Sequence, residues 1–134
     1  MNYWLLKTEP TTFSWDELVR RGRAEWDGVR NYAARNNMRA MAVGDLCFIY
    51  HSNGKPEIVG IARVVAAAHQ DSTDQTGVWQ CVDVEPIEKL ARPISLAEIK
   101  SNPKLAQMKL VTHSRLSVQP VTEEEWKLVL NATI

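Results

Sequence analysis

The sequence predicts an α+β fold, a small curled β-sheet or barrel with short helices at its corners. Runs of apolar and β-branched residues predict the strands, beginning with Tyr3–Thr8, which is apolar on both faces and stops before Pro10. Three Ser/Thr-x-x-Glu capping boxes, at Ser14, Ser95 and Thr122, predict short helices over 14–22, 95–101 and 122–131.

The remaining elements follow from turn residues and periodicity. Residues 46–51 and 58–65 flank a segment rich in turn formers and predict a hairpin, in which Gly60 marks a bulge or a close backbone approach. A strand is predicted over 78–90 with an interruption at Pro86, after a polar loop at 69–77. A short strand at 115–119 is expected to pair with the first.

Length and charge restrict the function. With 134 residues and no linker or repeat, the chain is expected to be one domain, 1–134. Its formal net charge is zero, which argues against a protein whose affinity for nucleic acid rests mainly on phosphate neutralisation. The charge is uneven, however: residues 20–39 hold six arginines against two acids, whereas residues 71–88 hold five acids and no base. One basic patch is therefore still possible.

Neither the cysteines nor the histidines have zinc-ligand spacing. Cys47 and Cys81 lie far apart in apolar runs, which is typical of buried, reduced thiols in a cytosolic protein. The N-terminus lacks the features of a signal peptide, and no stretch approaches 18 apolar residues. The expectation is a cytoplasmic protein without metal, cofactor or membrane partner, whose oligomeric state the sequence does not determine.

The segment 26–37 has an unusual composition for a structural helix. Trp26 lies in a polar loop beside Gly28, and Asn31 is a suitable N-cap for the helix that follows. In that helix Ala34, Met38 and Met41 form the stripe expected to be packed, and Arg35 lies on the opposite face. A loop tryptophan beside amides and arginines suits base stacking. The alternative is a solvated basic helix face.

Three further polar clusters, at 7–9, 51–53 and 115–119, end strands or precede turns. In a small barrel such ends can gather at one mouth, where ligands bind. The alternatives are solvated strand ends and ordinary turn caps.

Four motifs carry a family resemblance: residues 3–10 (YWLLKTEP), 26–36 (WDGVRNYAARN), 50–53 (YHSN) and 115–120 (RLSVQP). Together they resemble the EVE domain family of the PUA-like superfamily, over essentially the whole chain. The resemblance implies a PUA-like β-barrel and a non-catalytic module that recognises a modified base of DNA or RNA, flipped into a pocket at the barrel mouth. The implied base-binding residues are Trp26, Asn31, Ser52, Asn53, Glu9, Ser117 and Gln119, and the implied phosphate-binding residues are Lys7, Arg30 and Arg35.

Two other functions remain open at this point. One is a small enzyme acting on a modified nucleoside or another small polar substrate, with Glu9 or His51 as acid or base and Lys7 as electrostatic partner. Against it, the chain has no nucleotide-binding glycine motif, zinc-protease motif or nucleophile elbow. The other is a protein-interaction adaptor that docks through the acidic 71–88 segment.

Overall fold

The computed structural model describes residues 1–133. The strands are β1 Tyr3–Thr8, β2 Ala24–Glu25, β3 Leu46–His51, β4 Glu57–Gln70, β5 Gln80–Ser95 and β6 Val118–Val121. The helices are α1 Trp15–Arg21, α2 Tyr32–Ala40, α3 Leu96–Ser101, α4 Lys109–Thr112 and α5 Glu123–Ala132, with a 3₁₀ turn at Pro103–Leu105.

The six strands form one sheet in the order β2-β5-β4-β3-β1-β6, and with the five helices they confirm the α+β class. β1 lies inside the sheet, parallel to β3 and antiparallel to β6. Its pairing with β6 confirms the predicted neighbour of the first strand. The strand order leaves β2 and β6 at the two ends, so the pairing itself does not close a barrel.

Helix α2 covers the side that the strand pairing leaves open. It contacts both β5 and β6. The Asn37 side chain donates a hydrogen bond to the Val118 carbonyl (2.7 Å), and Arg39 donates to the Gln80 side chain. This position brings the start of α2, and the loop before it, next to the end of β1.

Two apolar cores lie against the sheet. The first includes Trp15, Trp26 and Met38, and the second includes Phe48 and Trp126, whose rings stack at 3.8 Å. The period of two along a strand explains the division, because consecutive side chains point to opposite faces. In α2 the predicted stripe of Ala34, Met38 and Met41 is indeed buried.

Local chemistry sets the helix starts. Ser14, Ser95 and Thr122 each accept a hydrogen bond from the backbone N–H three residues on, and Thr122 and Glu125 complete a reciprocal capping box. Gly22 ends α1 in the left-handed conformation (φ 75°). The spacing of Trp15, Leu18 and Val19 predicts that all three face inward; Trp15 and Leu18 are buried, but the prediction for Val19 was wrong, since it is 51% exposed.

Several predicted boundaries were also wrong. β4 continues to Gln70, and β5 runs through Pro86 as far as Ser95. Pro86 is tolerated because it lies opposite Ala62 at a register shift, where the regular ladder is interrupted. β6 starts only at Val118 and contains Pro120, which an end strand can accommodate.

Gly60 confirms both parts of its prediction. The β4–β5 register shifts between Ile58 and Gly60, so a bulge is present. A Cβ at Gly60 would lie 2.5 Å from the Trp15 ring, closer than any real side chain approaches. The absence of a side chain therefore lets α1 pack against the sheet.

Both cysteines are buried and free, as expected, and burial raises the pKa of each thiol. Within residues 1–133, no helix has the length and apolar character needed to cross a membrane.

Candidate ligand-binding cavity

A cavity of about 420 Å³ opens beside the end of β1. Its walls come from Lys7 and Thr8, residues 12–13, Arg21, the segment 25–30 and Ser117. The volume falls within the roughly 300–1,000 Å³ typical of small-molecule sites. The pairing of β1 with β3 and β6 creates this meeting of distant segments, and the Lys7 N–H donates to the Ser117 carbonyl at 2.9 Å.

Trp26 and Phe13 form the aromatic part of the wall. Their rings meet edge to face, with centroids 5.7 Å apart and an interplanar angle of 82°. Trp26 is only 6% exposed and belongs to the first core, so the interpretation of Trp26 as a loop residue outside the core was wrong. The cause is a non-local contact: its N–H donates to the Val82 carbonyl (2.8 Å), which extends the β2 edge beside β5.

A buried carboxylate that the sequence did not single out holds the cavity segment in place. Asp71, whose side chain is fully buried, accepts hydrogen bonds from the Gly28 N–H (2.8 Å), Arg30 (3.1 Å) and the Thr73 N–H (2.7 Å). Burial alone would raise the pKa of Asp71, but these donors outweigh it and the pKa is lowered. Asp71 thus ties the loop after β4 to the segment that carries Trp26.

Of the ten predicted contact residues, the structure brings four to the cavity: Lys7, Trp26, Arg30 and Ser117. The Lys7 ammonium donates to the Ser114 carbonyl at 2.7 Å, and burial lowers the pKa of Lys7. Arg30 stays exposed at the rim while it pairs with Asp71. These two cations lie at a cavity whose lining also includes the carboxylates of Glu25 and Asp27.

Asn31 and Arg35 lie outside this cavity, although they are close to it. The Asn31 side-chain oxygen caps α2 by accepting from the Ala34 N–H (2.9 Å), and Asn31 lines a shallower depression with residues 113–116. Arg35 donates to the Val78 carbonyl at 3.1 Å and lies over the Tyr32 ring (4.9 Å to the centroid).

Glu9, Ser52 and Asn53 do not line the cavity. Glu9 is exposed and contributes its backbone carbonyl, which accepts from the N–H groups of Thr12 and Phe13. Ser52 is bonded to Thr8, with its N–H 2.9 Å from the Thr8 carbonyl, and Asn53 is exposed in the turn that leads to β4. The ends of β1 and β3 are therefore neighbours, but the polar side chains that follow them do not all line one pocket.

Gln119 is buried and hydrogen-bonded within the protein. It is completely buried, and its amide nitrogen donates to the carbonyls of Leu116 (2.8 Å) and His113 (3.2 Å). In the β1–β6 register it lies opposite Leu5, which packs in the second core. Paired residues of antiparallel strands point to the same face, so Gln119 faces that core and braces the turn before β6.

His51 is a hydrogen-bond acceptor for a helix start. Its Nε2 accepts from the Trp15 N–H at 3.1 Å, and burial lowers the pKa of the imidazole. Neither His51 nor Glu9 lines the cavity with Lys7. The two acid–base candidates therefore lie outside the cavity that Lys7 lines.

The acidic 71–88 segment is not a free acidic face. Asp71 and Asp74 are buried, Asp83 pairs with Arg23 (2.9 Å), and Glu85 pairs with Arg63. Internal partners thus take up most of the charge on which the adaptor alternative depends.

Folding brings together Glu25, His69 and Cys81, which sequence spacing did not predict. One potential metal-ligand atom from each lies within 4.8 Å of the others. The His69 ring, however, has acceptors at both nitrogens, with Nε2 2.7 Å from Asp83 and Nδ1 3.0 Å from the Gln70 carbonyl. Two acceptors favour the doubly protonated imidazolium, which cannot coordinate a metal.

The hydrogen bond to Asp83 raises the pKa of His69 above 6.5. A raised folded-state pKa means that the contribution of His69 to stability is complete below pH 6.5 and is lost as the pH rises through the folded value. We expect the stability difference between the protein and its His69→Asn variant to shrink from pH 5.5 to pH 8.5. Thermal unfolding across this range measures it, and a constant or growing difference would contradict the assignment.

An exposed aromatic and arginine cluster borders the cavity. The Tyr32 and Trp79 rings lie 4.9 Å apart, and the guanidinium groups of Arg30 and Arg35 lie 5.6 and 5.9 Å from the Trp79 centroid. Tyr32 is 61% exposed. Trp79, which is half-buried, therefore contacts both predicted phosphate-binding arginines.

The EVE domain family model matches residues 2–132. Mouse thymocyte nuclear protein 1 is 38% identical over 164 aligned positions, which cover 97% of this chain and 73% of the mouse protein. Protein Atu2648 from Agrobacterium tumefaciens superposes with a TM-score of 0.97 at 51% identity, over 99% of this chain and 93% of its own. Human THYN1, solved in complex with 5-methylcytosine-containing DNA, superposes with a TM-score of 0.93 at 36% identity, over 99% and 98% of the two chains. This chain therefore belongs to the EVE domain family.

Proposed function

We propose that this protein is a non-catalytic module that binds a modified base of DNA or RNA, flipped out of its stack into the cavity beside Trp26. The observation that carries the proposal is the cavity of about 420 Å³ with one aromatic wall and cations at its mouth. A flipped base needs such a pocket, because stacking and edge contacts must replace those lost in the strand. The human relative solved with 5-methylcytosine-containing DNA supports the same ligand class.

In this proposal the base packs against Trp26 and meets the polar group of Ser117, while Lys7 and Arg30 attract the sugar–phosphate backbone to the mouth. Arg35 extends this positive surface along the exposed Tyr32 ring. For Asn31, Ser52, Glu9 and Gln119 we propose supporting roles, because they cap or brace the segments that form the walls. Asn53 lies exposed in the turn before β4.

We further propose that residues 1–134 act as a single domain. Helix α2 joins β5 and β6 across the open side of the sheet, which supports a curled, PUA-like barrel as the working unit. Buried free thiols suit a reducing compartment, so we propose the cytoplasm as its location.

The direct experiment titrates the protein with oligonucleotides that differ only in one base, 5-methylcytosine or cytosine, as DNA and as RNA. We expect tighter binding of the modified strand in at least one of the two nucleic acids. Mass spectrometry of the recovered oligonucleotide is expected to show no change, as for a reader without turnover. Equal affinity for modified and plain strands, or a change of mass, would contradict the proposal.

Arg35 provides a test of the phosphate contact. Each phosphate contacted contributes about 0.7–0.9 to the slope of log affinity against log salt concentration. We expect Arg35→Gln to weaken binding uniformly across sequences and to reduce that slope by about 1. Lys127→Gln, which removes an equal charge from an exposed position on α5, serves as the control and should leave the slope unchanged. An unaltered slope in Arg35→Gln would show that Arg35 does not contact a phosphate.

A further inference from the structure

Most polar groups around the cavity already have partners within the protein. Glu25 accepts from the Ser72 N–H (3.1 Å) and from the Cys81 thiol (3.4 Å). The Thr8 hydroxyl donates to the Phe13 carbonyl at 2.7 Å, and Lys7 donates to Ser114. The polar groups of Glu25, Thr8 and Lys7 are therefore already engaged, and a ligand in the cavity needs a different residue of the lining as its hydrogen-bonding partner.

Asp27 lines the same cavity, and within residues 1–133 no other residue donates a hydrogen bond to its carboxylate, which accepts from its own backbone N–H. Arg21, the neighbouring cation, is hydrogen-bonded to Glu17 at 3.1 Å. The Asp27 side chain is exposed, yet partial desolvation at the cavity wall raises its pKa; the charges of Asp71 and Glu25 raise it further and outweigh the opposing charge of Arg21. An ionised carboxylate in this position would gain stability from any donor that a ligand brings.

A carboxylate accepts hydrogen bonds and cannot donate them. Among pyrimidines, cytosine and 5-methylcytosine carry an amine at C4, which donates. Uracil and thymine carry a carbonyl at C4, which accepts. A carboxylate paired with the amine is satisfied, whereas a carboxylate facing the carbonyl leaves two acceptors in contact without a proton between them.

We propose that Asp27 selects the class of base that this cavity takes, one that presents a free exocyclic amine, so that cytosine-type bases bind in preference to uracil and thymine. This rests on the proposed function, because it assumes that a base occupies the cavity. It adds a residue absent from the predicted contacts and assigns it the reading of the base edge, while Trp26 contributes part of the wall without distinguishing one base from another.

The test separates the amine from the methyl group. Four single-stranded DNA oligonucleotides carry cytosine, 5-methylcytosine, uracil or thymine at one central position, so that no base pair must be broken. Dissociation constants are measured for the protein, for Asp27→Asn and for Glu88→Gln. The last variant removes one negative charge from an exposed residue of β5 outside the cavity and controls for overall charge.

For the unaltered protein we expect 5-methylcytosine to bind roughly tenfold more tightly than thymine, and cytosine more tightly than uracil by a similar factor. In Asp27→Asn both ratios should fall toward one, because the asparagine amide offers a donor as well as an acceptor. Glu88→Gln should keep both ratios. Asp27 is exposed, so thermal unfolding of the variant should match that of the protein.

Two results would overturn the inference alone: ratios near one in the unaltered protein despite measurable binding, or full ratios in Asp27→Asn. In either case the cavity would still bind a base, and the loss of affinity on substitution of Trp26 would show it. Failure of all four oligonucleotides, and of their RNA counterparts, to bind would overturn the proposed function and the inference with it.

Discussion

Replacement of Trp26 by leucine is expected to weaken the binding of an oligonucleotide carrying a modified base by about 1–3 kcal/mol, the usual contribution of one base–aromatic stack. The expectation follows from the position of Trp26 in the cavity wall, where Phe13 holds its ring edge to face. Leucine keeps part of the volume of the side chain and removes the π surface. Affinity is measured by titration with a fluorescently labelled strand.

The control must account for the structural role of Trp26. The ring is almost fully buried, so Trp26→Ala is expected to cost about 3–5 kcal/mol of folding free energy and would confound loss of a contact with loss of fold. Trp126→Leu is the matched control, since Trp126 is equally buried but packs on Phe48 in the other core. Both variants should lose stability, and only Trp26→Leu should lose affinity for the base. Equal affinities in the two folded variants would contradict the role of Trp26.

Replacement of Asp71 by alanine is expected to lower the free energy of unfolding by about 3–5 kcal/mol. The change removes a fully buried carboxylate and leaves the Arg30 guanidinium and the Gly28 and Thr73 N–H groups without their acceptor. The segment that forms the cavity wall would then lose its attachment to the loop after β4. Denaturant unfolding measures the loss.

The Asp45→Ala variant separates a loss of fold stability from a loss of base binding. Asp45 is also buried and accepts from the Trp4 indole (3.0 Å) and the Ala42 N–H (3.0 Å), away from the cavity. Its removal should destabilise the fold while the remaining folded protein keeps its affinity for the base. Asp71→Ala should lose both stability and affinity for the base. An Asp71→Ala variant that is as stable as the parent, or that binds the base normally, would show that the carboxylate does not hold the wall.

The helix starts were predictable because they depend on local chemistry. A side-chain oxygen at Ser14, Ser95 or Thr122 and a backbone N–H three residues later lie within one turn, and no distant residue takes part. The packed stripe of α2 and the interior position of β1 were predictable for a similar reason, since burial on one or both faces leaves a periodic pattern in the sequence.

The strand lengths were less predictable because register is a property of two strands. Pro86 reads as a strand breaker in sequence, yet a register shift opposite Ala62 removes the need for its missing N–H. The sequence of either strand alone does not indicate that register shift. The contact between His69 and Cys81 has the same origin, because only the β4–β5 pairing places these residues opposite each other.

The candidate site was predicted in part for related reasons. Lys7, Arg30 and Ser117 were assigned from the family resemblance. The β1–β6 pairing brings Lys7 and Ser117 together, and the loop before α2 adds Arg30 to the same cavity. Gln119 lies two residues after Ser117, and nothing in the sequence indicates that its amide would be buried and donate to two backbone carbonyls. Asp71 was missed because an acid in a polar loop reads as solvated. Its burial depends on Gly28 and Arg30, about forty residues earlier.

The most direct test of the central claim is a crystal structure of the protein with a short DNA carrying one 5-methylcytosine. The proposal requires the modified base to lie outside the helical stack and inside the cavity, against Trp26 and within reach of Ser117, with the strand leaving past Arg30. A base that remains stacked in the duplex, or that binds the surface while the cavity stays free of nucleic acid, would contradict it.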